Sequence, residues 1–436
     1  METKLARIAE MAKADPKLRF TSIGHLINAE AVKKSHQEMK PGKATGVDGS
    51  TKETYEVNVE ANVAHLVDRL KRKSYRPQPA RRVYIPKDEK SMRPLGIPAY
   101  EDKLVQHALK RVLEAIYEQD FMDFSYGFRP NRSMHSALKH LNRVIEHGKT
   151  SYVVDADISG FFNHVDHEWL MKFLELRIGD PNIHRLVRRM LKAGIQEEGH
   201  VEPTEEGTPQ GSVVSPLLAN VYLHYVLDLW FTVTVKKQCA GQAEMVRFAD
   251  DFVCCFQYKE DAERFYTALV LRLEKFGLSI AEEKTKIIAF GRFAEAESRR
   301  KGEGKPKTFD FLGFTHYCAK SRKGTFRVKR KTSGKKFRQK VKAMKSWVRW
   351  NRHLKQEEFL GVIRSKLSGH YRYYGITDNS QKIKSYYMQT LELIYKWLNR
   401  RSQHRSFTRE RFYEVLKELK LPKPRIYVNI YDEGQL

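Results

Sequence analysis

Residues 246–256 read VRFADDFVCCF, two apolar, β-prone runs on either side of Ala249, Asp250 and Asp251. The pattern predicts a hairpin with acids at its tip. An isolated Asp-Asp pair is also ordinary turn chemistry, because Asp tolerates turn conformations and bonds its own backbone. A second stretch gives the first its meaning: in SYVVDADISGFF, 151–162, an apolar strand runs into Asp155 and Asp157 before Gly160 and a Phe pair. Period-2 alternation puts Asp155 and Asp157 on one face, and the apolar lead-in fits a central strand. Taken alone this too reads as a solvated strand end. If the two acid-bearing strands are neighbours, however, their like charges repel unless a divalent cation lies between them. Mg2+ is the natural candidate, since it takes oxygen ligands, and two such ions about 3.5–4 Å apart clamp the attacking and leaving oxygens of an in-line phosphoryl displacement. That is polymerase or nuclease chemistry. Other ligand sets are weaker. His164 and His167 are spaced three apart with no third His or Cys beside them, and a structural role is expected for both. Cys239, Cys254, Cys255 and Cys318 make no C-x-x-C pair, so neither a disulfide framework nor a thiolate zinc site is expected.

Composition points the same way. The chain has 436 residues, 41% of them apolar, enough for two to four packed domains. Eighty Lys and Arg against 53 Asp and Glu leave a net charge of +27, so the expected partner is a polyanion, nucleic acid before an anionic membrane surface. No run approaches the roughly 18 apolar residues of a spanning helix, and the first residues lack a secretory apolar core. A cytoplasmic location is expected. The charge is uneven: residues 321–436 carry 30 Lys and Arg against 9 Asp and Glu. A run rich in Gly and charge, ESRRKGEGKPKTFD at 297–310, reads as a mobile loop, and FDFLGFTHY at 309–317 as a return to strand, which places a boundary near 320. Beyond it, three sets of apolar residues recur at helical spacing, beginning at Phe337, Phe359 and Ile383. They predict three amphipathic helices packed as a bundle with basic outer faces. A short helix near 408–420 follows, and IYVNIYDEGQL reads as a strand or tail. In the N-terminal part a helix, the Gly-rich loop GKATGVDG (42–49) and a helix at 54–73 precede VYIPKDEKSMRPLGIP, two short strands with Lys87 at their bend; 101–118 then looks helical.

Asp157 with an aromatic five residues on, the Pro209-Gln210-Gly211 turn and the Phe248-Ala249-Asp250-Asp251 hairpin occur in the order seen in reverse transcriptases. RRVYIPKDEKSMRPLGIP, YGFRPNRS, VVDADISGFFNHVDH, GTPQGSVVSPLLANVYL, VRFADDF, GLSIAEEKTKI and FLGFTHY resemble successive blocks of group II intron-encoded reverse transcriptases, also called maturases. GHYRYYGI and WLNRRSQ are similar to that family's thumb and the region after it. With the seven blocks in order and these two stretches, the resemblance covers nearly the whole chain, from about residue 20 to about residue 427.

The resemblance implies an α+β right-hand polymerase: N-terminal extension and fingers at 1–100, remaining fingers and palm with the active site at 101–320, a helical thumb at 321–400, and a short basic region at 401–436 that is a remnant of a DNA-binding segment. By motif match the catalytic acids are Asp157, Asp250 and Asp251, which with the Ile158 carbonyl hold two Mg2+ ions; Asp155 lies two residues early and is left out. Lys87 and Arg93 would close over the triphosphate, and Gly160 and Phe161 would offer backbone N–H groups to it. Phe162, under the sugar, would exclude a ribose 2′-hydroxyl, though from spacing alone core packing explains it as well. Gln210 and Gly211 would lie against the incoming nucleotide. Lys284 would protonate the leaving pyrophosphate, and Phe311, Leu312 and Gly313 match the primer-grip hairpin. Partners would be structured intron RNA or another RNA template, a DNA primer or target, and deoxynucleoside triphosphates, with splicing and retrohoming roles and no membrane. Relatives often end in an HNH endonuclease, whose cysteine pairs and catalytic His are missing here; second-strand cleavage is therefore not expected, and a DNA end from elsewhere would prime synthesis. Two other readings stand beside this one: a free-standing reverse transcriptase in phage defence or another host task, and an RNA-binding splicing cofactor without polymerase activity.

Overall fold

The computed structural model describes residues 2–86, 91–400, 408–418 and 420–432. Lys87 and residues 401–403 of the WLNRRSQ stretch lie outside them. Among the described residues, eleven strands form three sheets. In the first, β1 (Ala80–Pro86) pairs antiparallel with β2 (Met92–Ile97) and parallel with β4 (Ile195–Glu197), which turns back through β5 (His200–Glu202). The second sheet is antiparallel throughout, in the order β6-β7-β3-β8, formed by Ala243–Phe248, Asp251–Phe256, Tyr152–Asp157 and Lys286–Ala289. The third is a ribbon of β9 (Phe309–Phe311), β10 (Phe314–Lys320) and β11 (Phe326–Thr332).

The second sheet is buried on both faces, which is why its strands read as continuous apolar runs and not as clean alternation. Val154, Ala156, Phe252 and Cys254 turn into one core, built around the helix Tyr100–Tyr117. Val153, Val253 and Cys255 turn into a second core, shared with the ribbon and the C-terminal helices. Asp155 and Asp157 follow Val153 on the second face, as period-2 alternation requires.

The three C-terminal helices span Gly334–Asn351, Gln356–Tyr374 and Ser380–Leu398, each burying an apolar stripe. The first begins two residues after β11, so the composition shift at 320 falls inside the β10–β11 ribbon and not between two units. Charge density and strand pairing are different signals, and only the first changes there. Asn379 precedes the third helix but does not cap it. Its buried amide instead donates to the Thr332 hydroxyl and the Tyr374 carbonyl and accepts from the Thr332 N–H, tying bundle to ribbon.

Two local expectations need correcting. Part of the run at 297–310 is helix, Ala294–Arg300, which buries Ala294 and Ser298 and is braced by Glu295–Arg299 and Glu297–Lys301 pairs four residues apart. The described part of IYVNIYDEGQL, 426–432, is neither a strand nor a tail. Val428 bridges to Ile376, and the Tyr431 hydroxyl donates to Asp378 at 2.6 Å, returning this segment to the bundle.

Candidate active site

The register of β3 against β7 sets Asp157 directly opposite Asp251. The residues that carry these acids are 94 positions apart in sequence but occupy adjacent hydrogen-bonded strands. Asp250 belongs to the two-residue loop between β6 and β7, whose flanking pair is Phe248 and Asp251. Ala249, the first loop residue, has φ +57°, a conformation disfavoured for a residue with a Cβ. Its surroundings hold it there. A Cβ on Gly127 would lie 2.2 Å from the Ala249 N, so only glycine lets residue 127 pack against this loop. The Ala249 carbonyl accepts from Arg247 Nη1 at 2.9 Å.

Arg247 and its partners were not singled out in the sequence. Its side chain is wholly buried, bidentate to Asp228 and bonded also to Asn220, whose amide donates to the Gly127 carbonyl. Asp228 sits in a widened helical turn, His224–Asp228, with i→i+5 bonding. The available signal was an arginine inside an apolar strand, which requires a buried partner.

The acids repel one another. Desolvation, then Asp250 and Asp157, push Asp251 up to about 6, although the residue is exposed. Burial and Asp157 raise Asp250, against the pull of its own backbone N–H, Arg93 and Arg247. Asp155, set aside on motif grounds, shares the face: burial, then Asp251, Asp310 and Asp157, push it up to about 7. A counter-charge in direct contact is Lys284, whose Nζ donates to Asp157 Oδ2 at 2.7 Å; that bond raises the lysine's pKa in spite of partial burial, and Lys336 also acts on Asp251.

Among the described residues no group of three or more His, Cys, Asp and Glu side chains converges on one point where a metal ion would sit. The donor chemistry nevertheless fits Mg2+. Asp157, Asp250 and Asp251 offer hard oxygens, and an ammonium already occupies one of them. Ile158 faces Ile280 in a bridge whose bonds are made by Asp157 and Ser159, so its own carbonyl is not consumed there.

The other expected residues cluster around this face. Arg93 is on β2 opposite Ile85 and close enough to act on Asp250. Gly160, at φ +55°, opens a short 3-10 turn over Phe161–Asn163, closed by the Asn163 N–H donating to the Gly160 carbonyl at 2.8 Å; the first N–H groups of such a turn have no acceptor within it. Phe161 is core, 2% exposed, whereas Phe162 is half-buried and meets Phe128 edge-on. The Gln210 carbonyl accepts from the Gly96 N–H at 2.6 Å, and Gly211, at φ +113°, approaches the Gly96 carbonyl so closely that a Cβ would lie 2.6 Å from it. A cleft of about 280 Å3 joins Phe162, Gly96 and Gln210. Leu312 and Gly313, both at positive φ, make the tight turn between β9 and β10, and the Leu312 carbonyl accepts from the Tyr373 hydroxyl. Of the aromatics in the bundle, Tyr371 and Tyr374 are buried and Trp347 stacks on Phe359, while Trp350 is 67% exposed. His167 is buried with a ring nitrogen 2.7 Å from the Gly207 carbonyl, and His164 faces Glu206, so the pair does not gather.

Acids on adjoining strands, a glycine turn seated on a neighbouring sheet and a basic helical region behind them are the parts of a site that handles polyphosphates. Residues 85–316 match the family model described as reverse transcriptase (RNA-dependent DNA polymerase), and the chain belongs to that family. Its curated relatives include proteins named for group II introns. The chain is 40% identical over 231 residues to "Group II intron-encoded protein LtrA" of Lactococcus lactis subsp. cremoris, covering 52% of this chain and 38% of the relative. It is 39% identical over 226 residues to "Protein YkfC" of Escherichia coli (strain K12), covering 50% and 59%. It is 27% identical over 158 residues to "Nuclear intron maturase 4, mitochondrial" of Arabidopsis thaliana, covering 35% and 19%. The chain thus spans less than two thirds of the length of each of these relatives. Among the described residues no helix is long and apolar enough to cross a membrane.

Proposed function

We propose that the chain is an RNA-directed DNA polymerase of right-hand architecture. The first sheet and its helices act as fingers, the acid-bearing sheet as palm, and the three C-terminal helices as thumb. The observation that supports this most is the pairing of Asp157 with Asp251 across β3 and β7, with Asp250 at the adjoining tip. Asp157, Asp250, Asp251 and the Ile158 carbonyl would hold two Mg2+ ions, which when bound supply charge neutralisation at the reacting phosphate and acidify the primer 3′-hydroxyl.

The chain's own groups do the rest. Arg93 and, from outside the described residues, Lys87 hold the triphosphate, Arg93 with its planar fork. The Gly160 and Phe161 N–H groups bind phosphate oxygens, and Gln210 and Gly211 support the base and sugar of the incoming nucleotide. The Phe162 ring excludes a 2′-hydroxyl. The 3′-hydroxyl gives its proton to solvent water and attacks the α-phosphorus, the bond to pyrophosphate breaks, and Lys284 Nζ gives the leaving group a proton, which its bond to Asp157 helps it keep until then and which solvent then restores. Phe311, Leu312 and Gly313 hold the primer end. The basic thumb grips the duplex through phosphates without reading bases.

The names of the relatives support a role in intron splicing and mobility, with intron RNA as cognate partner and a DNA target as primer source. Primer extension on homopolymer RNA with deoxynucleotides and Mg2+ tests the central reading: elongated product is expected, and RNA binding without elongation overturns it.

A further inference from the structure

Phe128 combines two features that packing alone does not call for. Its φ is +61°, in the left-handed region that a bulky side chain rarely adopts, and the residue is 51% exposed. Its neighbours are fixed on both sides. The Gly127 carbonyl accepts from the Asn220 amide at 2.7 Å, and residue 127 packs against the loop that carries Asp250. Arg129 is buried, with its Nε on Glu118 and its Nη1 on the Met122 and Ser125 carbonyls at 2.8 and 2.9 Å. The chain cannot relax at residue 128 without breaking one of these anchors. A strained backbone held from both sides points to a use for the side chain it presents.

That side chain meets Phe162. The two rings lie 6.4 Å apart at 81°, edge to face. Phe162 has a second aromatic neighbour in Phe161, a core residue whose ring is 5.4 Å away at 65°. Its backbone is fixed as well: the Phe162 carbonyl accepts from the Thr208 N–H at 2.8 Å, and a Cβ on Gly207 would lie 2.9 Å from the same oxygen. What stays free is rotation of the side chain about its own bonds, and the rings of Phe161 and Phe128 limit it. Among the described residues, the cleft of about 280 Å3 that runs to Gly96 and Gln210 has Phe162 and not Phe128 in its lining, so Phe128 acts on a ligand there through Phe162.

A ring that excludes a hydroxyl by bulk discriminates only as strongly as it resists displacement. We propose that Phe128 is a positioning residue for sugar selection, holding the Phe162 ring across the place of a ribose 2′-hydroxyl, and that its backbone strain is the cost of presenting the ring there. The proposal deepens the reading of Phe162 given above and rests on it. Without the Phe128 edge beside it, the Phe162 ring swings aside and a ribonucleotide enters.

The test measures equilibrium binding of dATP and of ATP, with Mg2+, to the full chain on a dideoxy-terminated oligo(dA) primer and a poly(rU) template, so that no bond has to form. The unaltered chain should favour dATP. Phe128→Ala should lower that preference about three- to tenfold, the factor that an edge-on ring contact is worth, and should lower it no further in a Phe162→Ala background, because the two rings act as one. Phe128→Tyr keeps the ring and should keep the preference. Phe128→Asn supplies a residue that tolerates the left-handed backbone; it should melt at a higher temperature than Phe128→Ala without regaining the preference, which separates sugar selection from folding. An undiminished preference in Phe128→Ala beside a loss in Phe162→Ala overturns the role of Phe128 and leaves Phe162 as the gate. Additive losses in the double variant, or weaker binding of both nucleotides with their ratio intact, overturn it too. If Phe162→Ala also keeps the preference, the reading of Phe162 falls and this proposal with it; if the unaltered chain binds neither nucleotide, the polymerase reading itself falls.

Discussion

Arg247 and Asp228 form a bidentate ion pair, Nε to Oδ1 at 2.7 Å and Nη2 to Oδ2 at 2.5 Å, with neither side chain exposed to solvent. The same guanidinium holds the Ala249 carbonyl, so the pair supports the loop on which Asp250 sits. Removing one partner leaves an uncompensated buried charge, which costs about 3–5 kcal/mol. Asp228→Ala is therefore expected to lower stability by that amount in urea unfolding, and Asp228→Leu combined with Arg247→Met to recover much of it. A loss below about 1 kcal/mol for the single variant would show that the loop does not depend on this pair.

Asp250→Asn keeps the size and shape of the loop residue and removes a carboxylate. Primer extension should be abolished while RNA affinity stays within a few-fold of the unaltered chain. Extension at an undiminished rate would take Asp250 out of the mechanism.

Lys284 has two roles that substitution separates. As a proton donor its loss should slow single-turnover extension about a hundredfold, and Lys284→Arg should be as slow as Lys284→Ala, because a guanidinium does not give up its proton. If the ammonium merely balances Asp157, the arginine variant will recover the rate.

Asp155 makes stability depend on pH. Its carboxyl, raised to about 7 by burial and by Asp251, Asp310 and Asp157, keeps a proton in the folded chain that the unfolded chain releases. The folded state therefore binds more protons between the ordinary aspartate range and about pH 7, so stability falls as pH rises through that window. With EDTA present, Asp155→Asn should flatten this dependence and raise the melting temperature at pH 7.5 by on the order of 2 °C. A melting curve that keeps its full pH dependence in the variant would place the effect elsewhere.

Phe162 is half-buried and edge-on to Phe128, unlike its core neighbour Phe161. Phe162→Ala should admit ribonucleotides at least about tenfold more readily relative to deoxynucleotides, measured as the ratio of kcat/KM values. An unchanged ratio would return the ring to a packing role.

Much of this molecule could be read along the chain, because the signals concerned are local. Val153, Val154 and the acids after them declare a strand and its faces through alternation, and Phe359, Ile363 and Leu367 declare a helix through spacing. The motif order gave the family, and the family match bears that reading out. Other features depended on which distant strands pair. Nothing in either segment alone sets Asp157 opposite Asp251; that register follows from burying Val154 with Cys254 in one core and Val153 with Cys255 in the other. The same holds for Arg247, whose partner Asp228 comes from another element, and for Asn379, whose buried amide ties bundle to ribbon. The sequence by itself determined the elements and their exposed chemistry, since these depend on neighbours a few residues away. The tertiary structure alone decided which charges meet, since that follows from how whole apolar faces are buried against one another.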